Sequence, residues 1–366
     1  MQFFTKSVLM RSLLLLLVSI GVGRAEDCTF KKGGSDAAAA YTITVDKYPS
    51  KGEFGTVQAA VDSVPENNHQ WIRIHIKPGI YKEQVQIPRN KQCIILEGED
   101  RTTTKITYNG HEKTDVSATF SSFSDNVIAR AITFENSFNL ALAAVLERKI
   151  FRGRTHEHLD ITEKNLLDAN IVQALAARIY GDKSAFFDCG FVGVQDTLWD
   201  VQGRHYFNNC YIEGAIDFIF GRGQSIFEDC LINSTVSLRL GNVGPSYITA
   251  QGRQSKSDPS GFVFVRGQVV GSGDTYLGRA YGLFSRVIFY QTMLSDIVTP
   301  SGWNAWNLEG NEDSLFYTEV ECKGPGSNTS QRVPWEKKVD ASELSQFSKS
   351  VFINQDGWLN KLPDLI

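Results

Sequence analysis

Cys189-x-x-x-Gly193-x-x-Asp196 recurs as Cys210-x-x-x-Gly214-x-x-Asp217, and a partial third copy begins at Cys230. The copies stand 21 and then 20 residues apart, and Phe186, Phe207 and Phe227 each precede the cysteine by three. A period in the low twenties, carried by aromatic, β-branched and turn residues, predicts a solenoid whose coils contribute short parallel strands. Stacked coils bring equivalent residues to the strand spacing of roughly 4.8 Å. Phe186, Phe207 and Phe227 then form an internal ladder, while Asp196 and Asp217 become neighbours on successive coils.

Two carboxylates so placed cannot both ionise freely, so one keeps its proton to a higher pH while the other stays anionic. A neutral acid beside a carboxylate suits acid/base or nucleophilic chemistry. An isolated aspartate pair more often caps turns. Here Gln195-Asp196-Thr197-Leu198-Trp199 and Ala215-Ile216-Asp217-Phe218-Ile219-Phe220 surround both acids with bulky apolar side chains, which desolvate them.

Working outward, Tyr41 to Asp46 reads as a first strand. Val57, Ala60, Val61 and Val64 share one face of a short helix that Pro65 ends, placed to cap the solenoid's open end. From Trp71 onward short alternating strands follow without intervening helices, the pattern of an all-β chain. Residues 146–170 break this rhythm with a dense run of charges that no coil can bury, which predicts an extruded loop. Trp335, Val339, Leu344 and Phe347 suggest a second helical cap.

Of the 366 residues 42% are hydrophobic and 21% charged, and no linker divides them, so one domain is expected. Lys6 and Arg11, the apolar run from Leu13 and the small residues around Ala25 read as a signal peptide over 1–25, too short to span a membrane. Its removal takes the net charge from −4 to −7, which argues against nucleic acid as partner. Secretion makes the six cysteines disulfide candidates, although Cys189, Cys210 and Cys230 equally suit a stack of buried thiols. Asn233-Ser234-Thr235 and Asn328-Thr329-Ser330 are glycan acceptors. No spacing suggests a metal site and no glycine-rich loop a nucleotide, so no cofactor is expected.

Six stretches in order, Gly79-Ile80-Tyr81-Lys82-Glu83, Gln173-Ala174-Leu175-Ala176-Ala177-Arg178, Gln195-Asp196-Thr197-Leu198, Asp217-Phe218-Ile219-Phe220-Gly221, Leu277-Gly278-Arg279 and Gly302-Trp303-Asn304-Ala305-Trp306, span nearly the whole chain. In them the sequence resembles the plant pectin methylesterases, in the short form without an inhibitor-like pro-region. The resemblance implies an all-β right-handed parallel β-helix with short capping helices over 26–366, secreted to the cell wall. Its substrate would be methylated pectin, it would act as a monomer, and a separate inhibitor protein would regulate it.

The resemblance also implies roles. Asp217 is the nucleophile, Asp196 the acid/base, Gln173 and Gln195 oxyanion donors one coil apart, and Arg279 the residue that holds Asp217 ionised. Phe220, Tyr281, Trp303 and Trp306 are expected to offer flat faces to sugar rings. Two features depart from the family's pattern: Ala280-Tyr281 stands where Pro-Trp is usual, and 146–170 is longer than the usual connection, either as a tolerated loop or as a gene-model error. Two rival functions remain open: a catalytically impaired pectin-binding wall protein, and a polygalacturonase-like glycosidase on the same fold.

Overall fold

A computed structural model describes residues 27–30, 39–141, 171–235 and 245–363. Within them three parallel sheets of 10, 8 and 8 strands run side by side along one axis, and each turn of the chain adds one strand to each sheet. One coil runs through Ser184–Phe187 in the first sheet, Gly190–Val192 in the second and Leu198–Asp200 in the third. Arg204–Asn208 then opens the next coil above Ser184–Phe187. This is the parallel β-helix that the repeat predicts.

The 21-residue period is the coil length. Phe186 pairs in register with Phe207, and Phe207 with Phe227. Their rings stack at 4.9 and 4.5 Å, and Phe264 and Phe289 continue the column at 4.6 and 4.4 Å. Each ring is buried on all sides, so the ladder forms the spine of the core. The turn into the second sheet places Asp188, Asn209 and Asp229 at φ of 53°, 51° and 56°, a left-handed conformation that aspartate and asparagine tolerate best. The cysteine after each points inward, and Cys189, Cys210 and Cys230 are unpaired thiols in the core. Burial pushes the Cys189 and Cys210 thiols far above their usual range, so they act as small apolar side chains.

Cys28 and Cys93 form a disulfide that ties the first described residues to the coil beginning at Ile94. The helix Val57–Ser63 covers the open end as expected, with Thr56 accepting from the Ala59 amide and Glu83 from the amides of Val57 and Gln58. At the other end Trp335 packs against Tyr317. Leu344 and Phe347 do something different. They lie with the helices Ala341–Ser345 and Lys349–Phe352 against the outer face of the first sheet, over Ala185, Tyr206, Ile226, Val263 and Ile288. That face carries one buried apolar side chain on each of these five strands and has to be covered. The expected signal peptide and the charged segment 146–170 lie outside the described residues.

Candidate active site

The site grows from the corner between the second and third sheets. There Gly193 and Gly214 open tight turns that leave no room for a side chain: a Cβ would come within 2.7 Å of Thr197 Oγ1 at the first and within 2.1 Å of Phe218 Cβ at the second. The turns end on Asp196 and Asp217, both left-handed at φ of 59° and 49°. The Asp196 amide donates to Ile216 O at 3.0 Å and the Ala174 amide to Gln195 O at 3.2 Å, so three successive corners are laddered together. Gln173, Gln195, Asp196 and Asp217 thereby line one cleft of about 730 Å³.

Both aspartates are 8% exposed. Arg279, at the end of the strand Thr275–Arg279, reaches Asp217 with a two-pronged grip: Nε donates to Oδ1 at 2.7 Å and Nη2 donates to Oδ2. The guanidinium lies between the Tyr247 and Trp306 rings, 4.4 and 3.9 Å from their centroids, which fixes its plane. Burial raises the Asp217 carboxyl above its usual range, and the Arg279 hydrogen bonds and charge pull it back. Asp196 has no such partner, so burial first and the Asp217 charge second push it up to about 8. Of the two, Asp217 is the member that ionises more readily and Asp196 the one that keeps its proton longer. The side-chain amides of Gln173 and Gln195 have no hydrogen-bond partner among the described residues, which leaves their donors facing the cleft.

Phe220, Tyr281 and Trp306 line the cleft, Tyr281 at 61% exposure. Trp303 does not. It is 1% exposed and packs on Tyr317 and Phe289 inside the coil. The two-residue strand Trp303–Asn304 explains the correction: Trp303 pairs with Gly278 and turns into the coil, and Asn304 pairs with Arg279 on the outer face. Ala280 is buried and Tyr281 turns outward, so the change from the usual Pro-Trp leaves Arg279 seated on Asp217.

Sequence reasoning missed Trp199, which lines the cleft, and Tyr247, which lies behind Arg279. Trp199 stacks on Phe220 at 5.4 Å and 14°, and its signal was the 21-residue offset that links the two acids. Tyr247, under Arg279, lies after a longer coil that breaks the period. Among the described residues no cluster of ligating side chains could hold a metal ion. Of the two glycan acceptors Asn328 is exposed, while Asn233 is half-buried with its Nδ2 donating to the Tyr211 hydroxyl at 2.8 Å.

A family profile described as Pectinesterase matches residues 42–145 and 150–356. The chain is 42% identical to Probable pectinesterase 55 of Arabidopsis thaliana over 342 residues, 93% of this chain and 97% of the relative. It is 43% identical to Probable pectinesterase 29 of the same plant over 313 residues, 85% of this chain and 87% of the relative. Among solved structures it is similar to the pectin methylesterase from carrot, with a TM-score of 0.75, 30% identity and coverage of 87% of this chain and 94% of that one. It is also similar to the Aspergillus niger pectin methylesterase, with a TM-score of 0.70, 26% identity and coverage of 90% and 99%. A coil-length repeat, an acid pair on adjacent corners and these likenesses agree: the chain belongs to the pectinesterase family.

Proposed function

We propose that this protein removes methyl groups from pectin by a two-step exchange at Asp217. The Asp217 carboxylate attacks the C6 ester carbonyl of a methylated galacturonate, and the carbonyl oxygen becomes an oxyanion that accepts hydrogen bonds from the Gln173 and Gln195 amides. Protonated Asp196 gives its proton to the departing methoxide, which leaves as methanol. The ionised Asp196 then takes a proton from water, whose oxygen attacks the acyl-enzyme. Asp217 departs as carboxylate, and the galacturonate acid is released. The observation that carries this reading is the asymmetry of the pair, with Arg279 gripping Asp217 and no cation on Asp196.

Phe220, Trp306 and Tyr281 offer faces to the sugars on either side. No helix among the described residues is long and apolar enough to cross a membrane, and the reading of 1–25 as a signal peptide would take the enzyme to the cell wall, where its polymer lies. An inhibitor protein would act by covering the cleft mouth at Tyr281.

The test is methanol release from highly methylated pectin by the wild type and Asp217→Ala, with polymer length followed in parallel. Methanol from the wild type alone at unchanged length is the expected result. Chain shortening would point to glycoside cleavage, and folded wild-type protein that binds pectin without releasing methanol would point to a binding role.

A further inference from the structure

The reaction above leaves one fully buried pair of titratable groups unused. Asp200 and His205 are both 0% exposed, and they stand directly behind the cleft. Asp200 ends the strand Leu198–Asp200, next to Trp199, and pairs in register with Ile179 on one coil and with Gly221 on the other side. Its carbonyl accepts from the amides of Arg222 and Gly223 at 2.8 and 2.9 Å. Its carboxylate accepts from Nδ1 of His205, on the strand Arg204–Asn208, and His205 Nε2 donates to Gly181 O at 2.8 Å. The other carboxylate oxygen, Oδ2, is buried without a partner among the described residues, so His205 is what orients the group.

The space around this carboxylate is filled. A Cβ at Gly223 would stand 2.1 Å from Asp200 Oδ1, and one at Gly221 would stand 2.0 Å from Asp200 O. Three successive corners, at Gly181, at Asp200 and at Gly221 to Gly223, thus close on one pair. A fourth follows, since the Gly252 amide donates to Gly221 O at 2.7 Å. These corners carry the cleft wall just past the acids along the chain: Tyr180, Trp199, Phe220, Arg222 and Gly252 all line it. A buried ion pair seldom stabilises a fold more than packed apolar side chains of the same volume, but its hydrogen bonds admit one geometry. A close-packed interior passes any shift of the pair on to the residues against it.

We propose that the Asp200–His205 pair is a positioning device for the cleft, which fixes the Trp199–Phe220 stack and the turn Gly221-Arg222-Gly223 where the polymer needs them and so sets substrate affinity without touching substrate. The inference rests on the esterase reading. The pair acts through the wall and not through the acids: the shifts of Asp196 and Asp217 come from burial, from Arg279 and, for Asp196, from the Asp217 charge. The chemical step is therefore left as it is when the pair is broken.

His205→Gln and His205→Asn divide the two bonds of the imidazole. Glutamine puts its amide nitrogen near the place of Nε2, keeping Gly181 and losing Asp200. Asparagine puts its own near the place of Nδ1, keeping Asp200 and losing Gly181. The experiment compares both with the wild type, with Asp200→Asn and with Lys91→Met. That last variant is a control, removing a buried amine that donates to Val61 O, Asp62 O and Val64 O beneath the capping helix. On methylated homogalacturonan His205→Gln is expected to raise KM about tenfold, the scale of one charge-assisted hydrogen bond, with kcat and the pH–rate profile unchanged. Asp200→Asn, which keeps the shape and drops the charge, should raise KM by less, and His205→Asn should stay near the wild type. Lys91→Met should lose stability with KM unchanged. A second arm measures binding of methylated galacturonate oligomers by calorimetry in the Asp217→Ala background, with the same order of weakening expected. An unchanged KM in both His205→Gln and Asp200→Asn, or equal rises in all four variants, would overturn the proposal and leave the pair a packing element. The binding arm needs no turnover, so a wild type that releases no methanol would refute the esterase reading while this arm still decides the role of the pair.

Discussion

Asp196 is buried with no cation bonded to it and is pushed up to about 8 from an ordinary 3.8, by burial first and the Asp217 charge second, against the weaker pull of the Arg279 charge, and that shift has a measurable cost. Below about pH 4 the carboxyl is neutral in the folded and the unfolded chain, and it contributes nothing to stability. Between about 4 and 8 the unfolded chain releases the proton while the folded protein keeps it, so stability falls as pH rises. Above about 8 the cost is complete. One pH unit is worth about 1.4 kcal/mol, so a shift of roughly four units sets an upper scale on the order of 5 kcal/mol. Asp196→Asn keeps the shape and removes the ionisation. The variant is therefore expected to gain stability over the wild type steadily between pH 4 and 8, with no further gain above. Denaturant unfolding of both proteins across that range reads the slope directly. In an Asp217→Asn background the slope should cover a narrower pH range, because the second cause of the shift is gone. A difference between wild type and Asp196→Asn that stays flat from pH 5 to 8 would mean that Asp196 ionises normally, and the same result would remove it as the proton donor to methanol.

Three further outcomes are expected. Arg279→Gln should lower methanol release by about a hundredfold or more and move the acidic limb of the pH–rate profile upward, because the guanidinium is what holds Asp217 down; an unmoved limb would detach Arg279 from the nucleophile. His205 is fully buried, with Nδ1 donating to the Asp200 carboxylate and Nε2 to Gly181 O at 2.8 Å, so His205→Ala strands a buried charge and should cost about 3–5 kcal/mol in unfolding experiments. Peptide mass spectrometry of the protein made in a glycosylating host should find sugar on Asn328 and none on Asn233, whose amide nitrogen is committed to Tyr211.

The repeat from Cys189 to Cys230 was enough to predict the architecture, because in a solenoid equal spacing in sequence becomes adjacency in space. The same arithmetic placed Asp196 beside Asp217 and Gln173 beside Gln195. The roles of these residues came from the family resemblance, and the geometry is consistent with them. The expectation for Trp303 fails because its neighbour Trp306 does line the site, and a two-residue strand is too short for alternation to show in sequence. Leu344 and Phe347 suggested an end cap because an amphipathic helix carries no mark of which apolar surface it covers. The outer face of the first sheet, with Tyr206, Ile226 and Val263, was the surface in need. Tyr247 escaped notice since the coil that holds it is longer than its neighbours, and counting by 21 fails there. The pairing of Cys28 with Cys93 depends on how the N-terminal segment folds back, which spacing does not encode.

The tight glycine corners have a consequence for how this scaffold can vary. The turns through Gly193 and Gly214 are short and tightly packed. On either side, the strands Thr133–Asn136 and Ala177–Ile179, and the strands Leu231–Thr235 and Ser246–Gln251, flank the same corner of the solenoid with more residues between them. The backbone ladders leave every coil closed whatever is spliced in at that corner. Segments flanking the acid corners can thus be lengthened, shortened or exchanged between relatives with the stacking of Asp196 and Asp217 untouched. A designer grafting new specificity onto this protein would cut there, and would leave the two short turns alone.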